Sequence, residues 1–258
     1  MLSLTSRCLD LGRRVFGLAA MALGLTGLVW GEFATVWHPV RDSTPHRMAL
    51  AYMAAAALLA GGLAVQWRRT ERAGLIELGA LYFMGALLWM PRIMGFPELF
   101  GVWSGFAEQF SMVAAVLLTL AAAQTGKGIS SAAMQCARFM FGLCVLAFGM
   151  AHFTVLAETT RMVPAWLPLG QSFWAIVTGG AMLLAGLSLM PGILAVQAAW
   201  SLTVLLMSFG FFVWAPSLFS APHKHITWTG NAINLAMTGG AWMVADVLTR
   251  TSVEGQPA

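Results

Sequence analysis

The chain has 258 residues, of which 59% are hydrophobic and 9% charged, with a formal net charge of +4. Soluble domains carry about 25% charged residues, so this chain cannot wet a globular surface and its apolar runs must face lipid or one another. The positive balance does not point to nucleic acid: all but two of the basic residues are arginines, scattered in short connections, a pattern that orients a membrane protein rather than builds a phosphate-binding face.

Apolar runs of spanning length, about 20 residues each, are predicted near 14–33, 47–66, 73–93, 102–123, 138–157, 172–190, 193–215 and 229–248. The first follows Arg13-Arg14 and has the outline of a signal peptide. However, Arg13-x-x-Phe16-Gly17-Leu18 returns as Arg138-x-x-Phe141-Gly142-Leu143, so the run is expected to be a retained helix. Arg7, Arg13, Arg14, Arg68, Arg69, Arg72, Lys127, Arg138 and Arg250 fall on one side, and Arg41, Arg47, Arg92, Arg161 and Lys224 on the other. That bias places both termini in the cytoplasm. Most tryptophans lie near the opposite, external boundary, where an indole finds both apolar and polar neighbours. Their number exceeds what anchoring needs, so they are also candidates to line an external vestibule.

The third and fourth runs meet in Trp89–Ala107, which recurs as Trp214–Ala232. Trp89, Pro91, Pro97, Trp103, Gly105 and Ala107 reappear 125 positions later as Trp214, Pro216, Pro222, Trp228, Gly230 and Ala232. Gly24/Gly149, Pro39/Pro164, Gly61/Gly186 and Gly85/Gly210 keep the same spacing. Chance does not readily place tryptophan, proline and glycine in one fixed frame. The expected fold is an all-α integral membrane protein with eight transmembrane helices, arranged as two parallel four-helix repeats over 1–126 and 127–258. An even number of spans per repeat starts both halves on the same side. Cys8, Cys136 and Cys144 form no CxxC pair and are expected to be free thiols.

The second half carries Gly149-x-x-His152-Phe153, Val163-Pro164-Ala165-Trp166-Leu167-Pro168, Phe173-Trp174, Thr178-Gly179 and Ala185-Gly186-Leu187. The first half has the looser Trp37-His38-Pro39-Val40, Leu50-Ala51-Tyr52 and Ala60-Gly61-Gly62. This pattern resembles the DoxX-like family of four-helix bacterial membrane proteins, here as two fused units. The resemblance implies residence in the bacterial cytoplasmic (inner) membrane, in contact with the lipid bilayer. It also implies a link to quinone or thiol redox chemistry, as an accessory subunit beside a membrane or periplasmic redox protein. A quinone is the cofactor it suggests, and it supplies no catalytic residue.

Polar groups gather at the external boundary. His152 has two readings, an imidazole that handles protons or contacts a quinone, and a boundary histidine bonded to a loop carbonyl. Glu158 and Arg161 follow it within two turns. Glu108 lies five residues beyond Trp103, a depth at which a carboxylate is costly unless it faces the bundle interior or a wet cavity. A helix-start acid snorkelling outward is its alternative. His223 and His225 stand at i and i+2 and could bridge a metal with a third ligand such as His152 or Glu158. Solvated loop histidines are the other reading, and no metal is assigned. Arg92, together with Asn231 beside the corresponding pair Gln109 and Asn234, completes the candidate cluster. Glu32 is expected to pair with Arg41 or Arg47, Glu77 with the arginines at 68–72, and Arg13 and Arg138 to set orientation and meet phosphates.

The leading expectation is therefore a ligand-binding accessory subunit, with an external crevice between the repeats. The competing one is a small-solute transporter in which Glu108 moves a proton.

Overall fold

A computed structural model describes residues 10–34, 36–124 and 131–253; Arg7, Cys8 and Lys127 lie outside them. The described residues form helices and connections without a strand. The helices are α1 (Leu11–Trp30), α2 (Arg47–Ala64), α3 (Glu71–Leu87), the short α4 (Met90–Gly95), α5 (Phe100–Ala122), α6 (Ser131–Thr154), α7 (Leu156–Met162), α8 (Gln171–Leu189), α9 (Ala195–Phe209), α10 (Ser217–Ser220) and α11 (His225–Val253).

Seven helical segments are long and apolar enough to cross a membrane, so the chain is a multi-pass membrane protein. The run 229–248 lies inside α11, which is 29 residues long but stands outside that set. The reason is its position. It packs against α1, α5 and α9, and Asn234, Thr238 and Asp246 on it are all buried. Neighbouring helices rather than lipid meet its polar groups, so it can carry them.

The 125-residue spacing appears in the element boundaries. Shifted by it, α2 falls on 172–189, where α8 spans 171–189, and α5 falls on 225–247, inside α11. The packing follows the same order: α1 lies against α2 as α6 does against α8, and α3 against α5 as α9 does against α11. Across the centre, α11 packs on α1 and α5 packs on α6. Glycine makes the closest of these approaches possible. A Cβ on Gly12 would lie 2.6 Å from the backbone nitrogen of Met243, and one on Gly239 2.5 Å from that of Phe16.

The arginine-rich end is tied together by buried charge. Arg13 donates from Nη1 to the Val65 carbonyl at 2.6 Å and pairs with Glu71 at 2.7 Å. It thereby locks the start of α1 to the α2–α3 connection. Arg138, its counterpart 125 residues on, is equally buried and rests its guanidinium on Gly192 in the α8–α9 connection. Both arginines thus face protein, which corrects the expectation of phosphate contact. Glu77 also departs from expectation: its carboxylate lies beside Gly61, and among the described residues it forms no ion pair with the arginines at 68–72. At the opposite end Glu32 pairs with Arg47. Cys136 and Cys144 are free, the first exposed and the second buried.

Candidate functional site

The site is built from the recurring tryptophan–proline–glycine stretch. In both copies the first indole lies flat over a glycine one helix away, Trp89 over Gly105 and Trp214 over Gly230, where any Cβ would enter the ring. In both, the second indole closes the loop onto its proline: Trp103 Nε1 donates to the Pro97 carbonyl at 2.9 Å and Trp228 Nε1 to that of Pro222 at 2.7 Å. Trp174 and Pro168 repeat the lock at 2.7 Å.

The copies diverge at the end of α9. There the helix widens into a π turn over Gly210–Trp214, closed by the Ala215 amide on the Gly210 carbonyl at 2.8 Å. Such turns recur at functional sites. Pro216, which has no N–H, removes a donor from the ladder just beyond it. The Trp214 carbonyl accepts from Asn231 Nδ2 at 3.0 Å and from Ser217 Oγ at 2.6 Å.

Beside this turn opens a crevice of about 440 Å³, walled by α5, α6, α7, α8, α9 and α11 and by the Val36–Trp37 segment. Its wall is mainly apolar and aromatic, with Trp37, Trp89, Trp214, Phe148 and Phe209 among the lining residues. Glu108 enters from α5, His152 from α6 and Asn234 from α11. Trp37 and Glu108 both line the crevice, and Trp37 meets Trp214 with ring centroids 5.9 Å apart. His152 stacks on Phe209 at 6.1 Å, and its Nδ1 lies 2.8 Å from the Phe148 carbonyl. A carbonyl only accepts, so Nδ1 carries the proton, and in a neutral ring Nε2 is left as the acceptor. Gly179 on α8 lets the two helices close on His152, since a Cβ there would lie 2.6 Å from that of the histidine.

The other candidates lie elsewhere. Glu158 is exposed and pairs with Arg161 at 2.9 Å. Arg92 is exposed, with its guanidinium 5.5 Å from the centre of the Trp89 ring. His223 is exposed in the turn before α11, while His225 stacks on Trp30 at 5.3 Å. Asn231 holds the π turn. The structure thus brings Glu108 and His152 to one cavity and separates the remaining five from it. Among the described residues no three histidine, cysteine or acidic side chains converge as a metal-sized group.

Two residues missing from the sequence-based cluster contribute most to the site. Trp37 comes from the α1–α2 connection, and its place on the crevice wall beside Glu108 depends on a loop fold that periodicity does not encode. Phe209 supports His152, and its only sequence signal was the glycine that follows it.

The matching region of the first half is closed. A cavity of about 20 Å³ remains there, lined by Leu23 and Gly27 at the positions of Phe148 and His152, and by Glu32, His38, His225 and Thr229. Phe33, Ala34 and His38 of the α1–α2 connection fold into this space. Burial pushes His38 down to about 4, with the Gln109 amide opposing, while the Arg47 partner holds Glu32 below the usual carboxylate range. A histidine with a depressed folded-state pKa takes up protons first in the unfolded chain. Stability is therefore full above about pH 6.5 and falls as pH drops towards 4. Chemical denaturation across this range should show that loss, and His38→Phe should remove it.

Comparisons with protein-family models, with curated proteins and with solved structures find no match to this chain.

Proposed function

We propose that the protein is a DoxX-like polytopic membrane protein of eight spans, two parallel four-helix repeats fused in one chain. It resides in the bacterial cytoplasmic membrane with both termini cytoplasmic. Its crevice holds a lipid-soluble ligand of the quinone class, and the protein serves as an accessory subunit to a quinone- or thiol-linked redox partner in the membrane or periplasm. One observation carries this reading: an aromatic-lined cavity of about 440 Å³ into which Glu108 and His152 both face. A mainly apolar cleft with a few convergent polar groups is the usual form of a small-molecule site. The aromatic walls fit a flat ring, and Glu108, His152 and Asn234 would hold its polar edge. A bound quinone would supply two-electron chemistry. The chain itself contributes orientation, exclusion of water and places for protons at Glu108 and His152.

Mass spectrometry and an absorption spectrum of the purified protein test the proposal. A quinone-class molecule should accompany the wild type and be depleted at least tenfold in Glu108→Leu and His152→Phe. A ligand-free preparation that still folds would rule it out. A second reading, small-solute transport, draws on carboxyls inside the bundle at both ends. Asp246 is 2% exposed and its Oδ1 has no hydrogen-bond partner, while Glu108 sits at the crevice end. Solute uptake into liposomes, abolished by Glu108→Gln, would select that reading.

A further inference from the structure

Arginines that the sequence scatters are gathered by the fold at the α2–α3 connection, the end of the bundle opposite the crevice. Gln66 Nε2 donates to the Arg14 carbonyl at 3.3 Å, which brings the start of α1 beside the 66–72 segment. That segment is pinned. Thr70 Oγ1 donates to the Ala64 carbonyl at 2.7 Å, the Glu71 amide donates to the Trp67 carbonyl at 2.9 Å, and Arg13 spans Val65 and Glu71. Two of the arginines have acids of their own: Arg13 pairs with Glu71, and Arg68 with Asp10 at 3.2 Å. Arg14, Arg69 and Arg72 are exposed, and among the described residues no carboxylate pairs with them. Trp67 in the same segment is 61% exposed. Arg14 and Arg72 also stand within the first four residues of α1 and α3, where the helix dipole favours an anion and disfavours a cation. The repeat does not require this surplus. The positions 125 residues after Arg14, Arg69 and Arg72 hold Phe139, Leu194 and Gln197, and Leu194 is 64% exposed.

We propose that this face binds the headgroup of an anionic phospholipid from the leaflet at that end of the bundle. Arg14, Arg69 and Arg72 meet the phosphate oxygens, and the Trp67 ring rests where headgroup gives way to acyl chain. A guanidinium fork matches phosphate geometry, and each basic residue near a membrane surface draws anionic lipid towards it. An indole suits the same depth, with an apolar body and a polar N–H. The pinned connection means that little backbone has to be ordered on binding. This site does not depend on what the crevice holds.

Native mass spectrometry of the full-length protein in a neutral detergent, with equimolar phosphatidylglycerol and phosphatidylcholine added, counts the lipids retained. The wild type should keep phosphatidylglycerol over phosphatidylcholine by at least about tenfold, less as salt is raised. Arg69→Gln should lower that ratio about fivefold, and changing Arg14, Arg69 and Arg72 together to Gln should bring it close to one. Arg41→Gln, exposed at the other end, should leave it unchanged. Retention of phosphatidylcholine and the thermal midpoint should stay at wild-type values in every variant, which reports that they are folded. A triple variant that keeps the preference would overturn the proposal. Inorganic phosphate that displaces the lipid at equal concentration would overturn it in favour of a free anion. Oligoglutamate of matched charge binding more tightly than phosphatidylglycerol would overturn it in favour of an acidic protein segment.

Discussion

Gly230→Ala destabilises the protein, although alanine is the better helix former. In an open helix position the exchange gains about 1 kcal/mol from propensity. At Gly230 the new methyl would occupy the face of Trp214, and the indole is confined between α11 and the crevice. Overpacking of this kind costs about 1–3 kcal/mol, enough to reverse the sign. Urea or thermal denaturation in one fixed detergent measures it. The same alanine in a Trp214→Leu background should recover most of the loss, giving a coupling energy of at least about 1 kcal/mol. Because Trp214 and Gly230 also line the crevice, ligand retention should fall along with stability. An alanine variant more stable than the wild type would show that the ring moves aside freely. Gly105 and Trp89 offer an independent repetition.

Arg13→Met is expected to cost about 2 kcal/mol. The substitution keeps much of the apolar stem but abandons the Val65 carbonyl and the Glu71 carboxylate. The full penalty of a broken buried pair would be larger, but the Glu71 side chain retains 37% of its exposure and water takes over part of the role. Arg13→Lys should fall between, since an ammonium cannot span both partners as a guanidinium does. A C-terminal topology reporter separates this from an orienting role. Loss of stability with unchanged topology supports the staple, and inverted topology with unchanged stability would refute it.

These residues also show what was legible before any coordinates. Trp89, Pro97, Trp103 and Gly105 are chemically costly to place, so their recurrence at 125 residues carries information, and the bounds of α2 and α8 and the start of α5 and α11 keep that spacing to within a residue. Arg13 and Arg138 were recognised as a pair, but a charge count treats every arginine near a helix end alike. Burial against Val65 and Gly192 comes from the connections, which have no periodicity to read.

The site was half visible for the same reason. Glu108 could be placed by depth along α5, and His152 by its position near the end of α6. Whether a boundary residue faces inward depends on how the chain turns next. At 155–162 it turns into α7, which carries Glu158 outward and Thr159 and Met162 towards the cavity. In the α1–α2 connection it folds back and fills the matching space with Phe33, Ala34 and His38. Asn231 is polar and near the candidates in sequence, whereas its amide donates to the Trp214 carbonyl at the end of the π turn. Asp246 drew no notice, because a single acid near an arginine-rich end looks like an ordinary surface charge.

The three tryptophan–proline locks have a further consequence. Three points define a plane, and Trp103, Trp174 and Trp228 mark one at the starts of α5, α8 and α11, while Ala49 stands at the fourth position, in α2. Each indole N–H is already satisfied by its own loop, so the rings need no particular lipid headgroup to settle at the boundary. The locks tie the starts of these three helices to their own loops, so each loop keeps its shape without help from a lipid headgroup. Five residues along α5 from Trp103, about 7 Å at the helical rise, lies Glu108, so the loop that Trp103 locks also sets where that carboxyl meets the crevice.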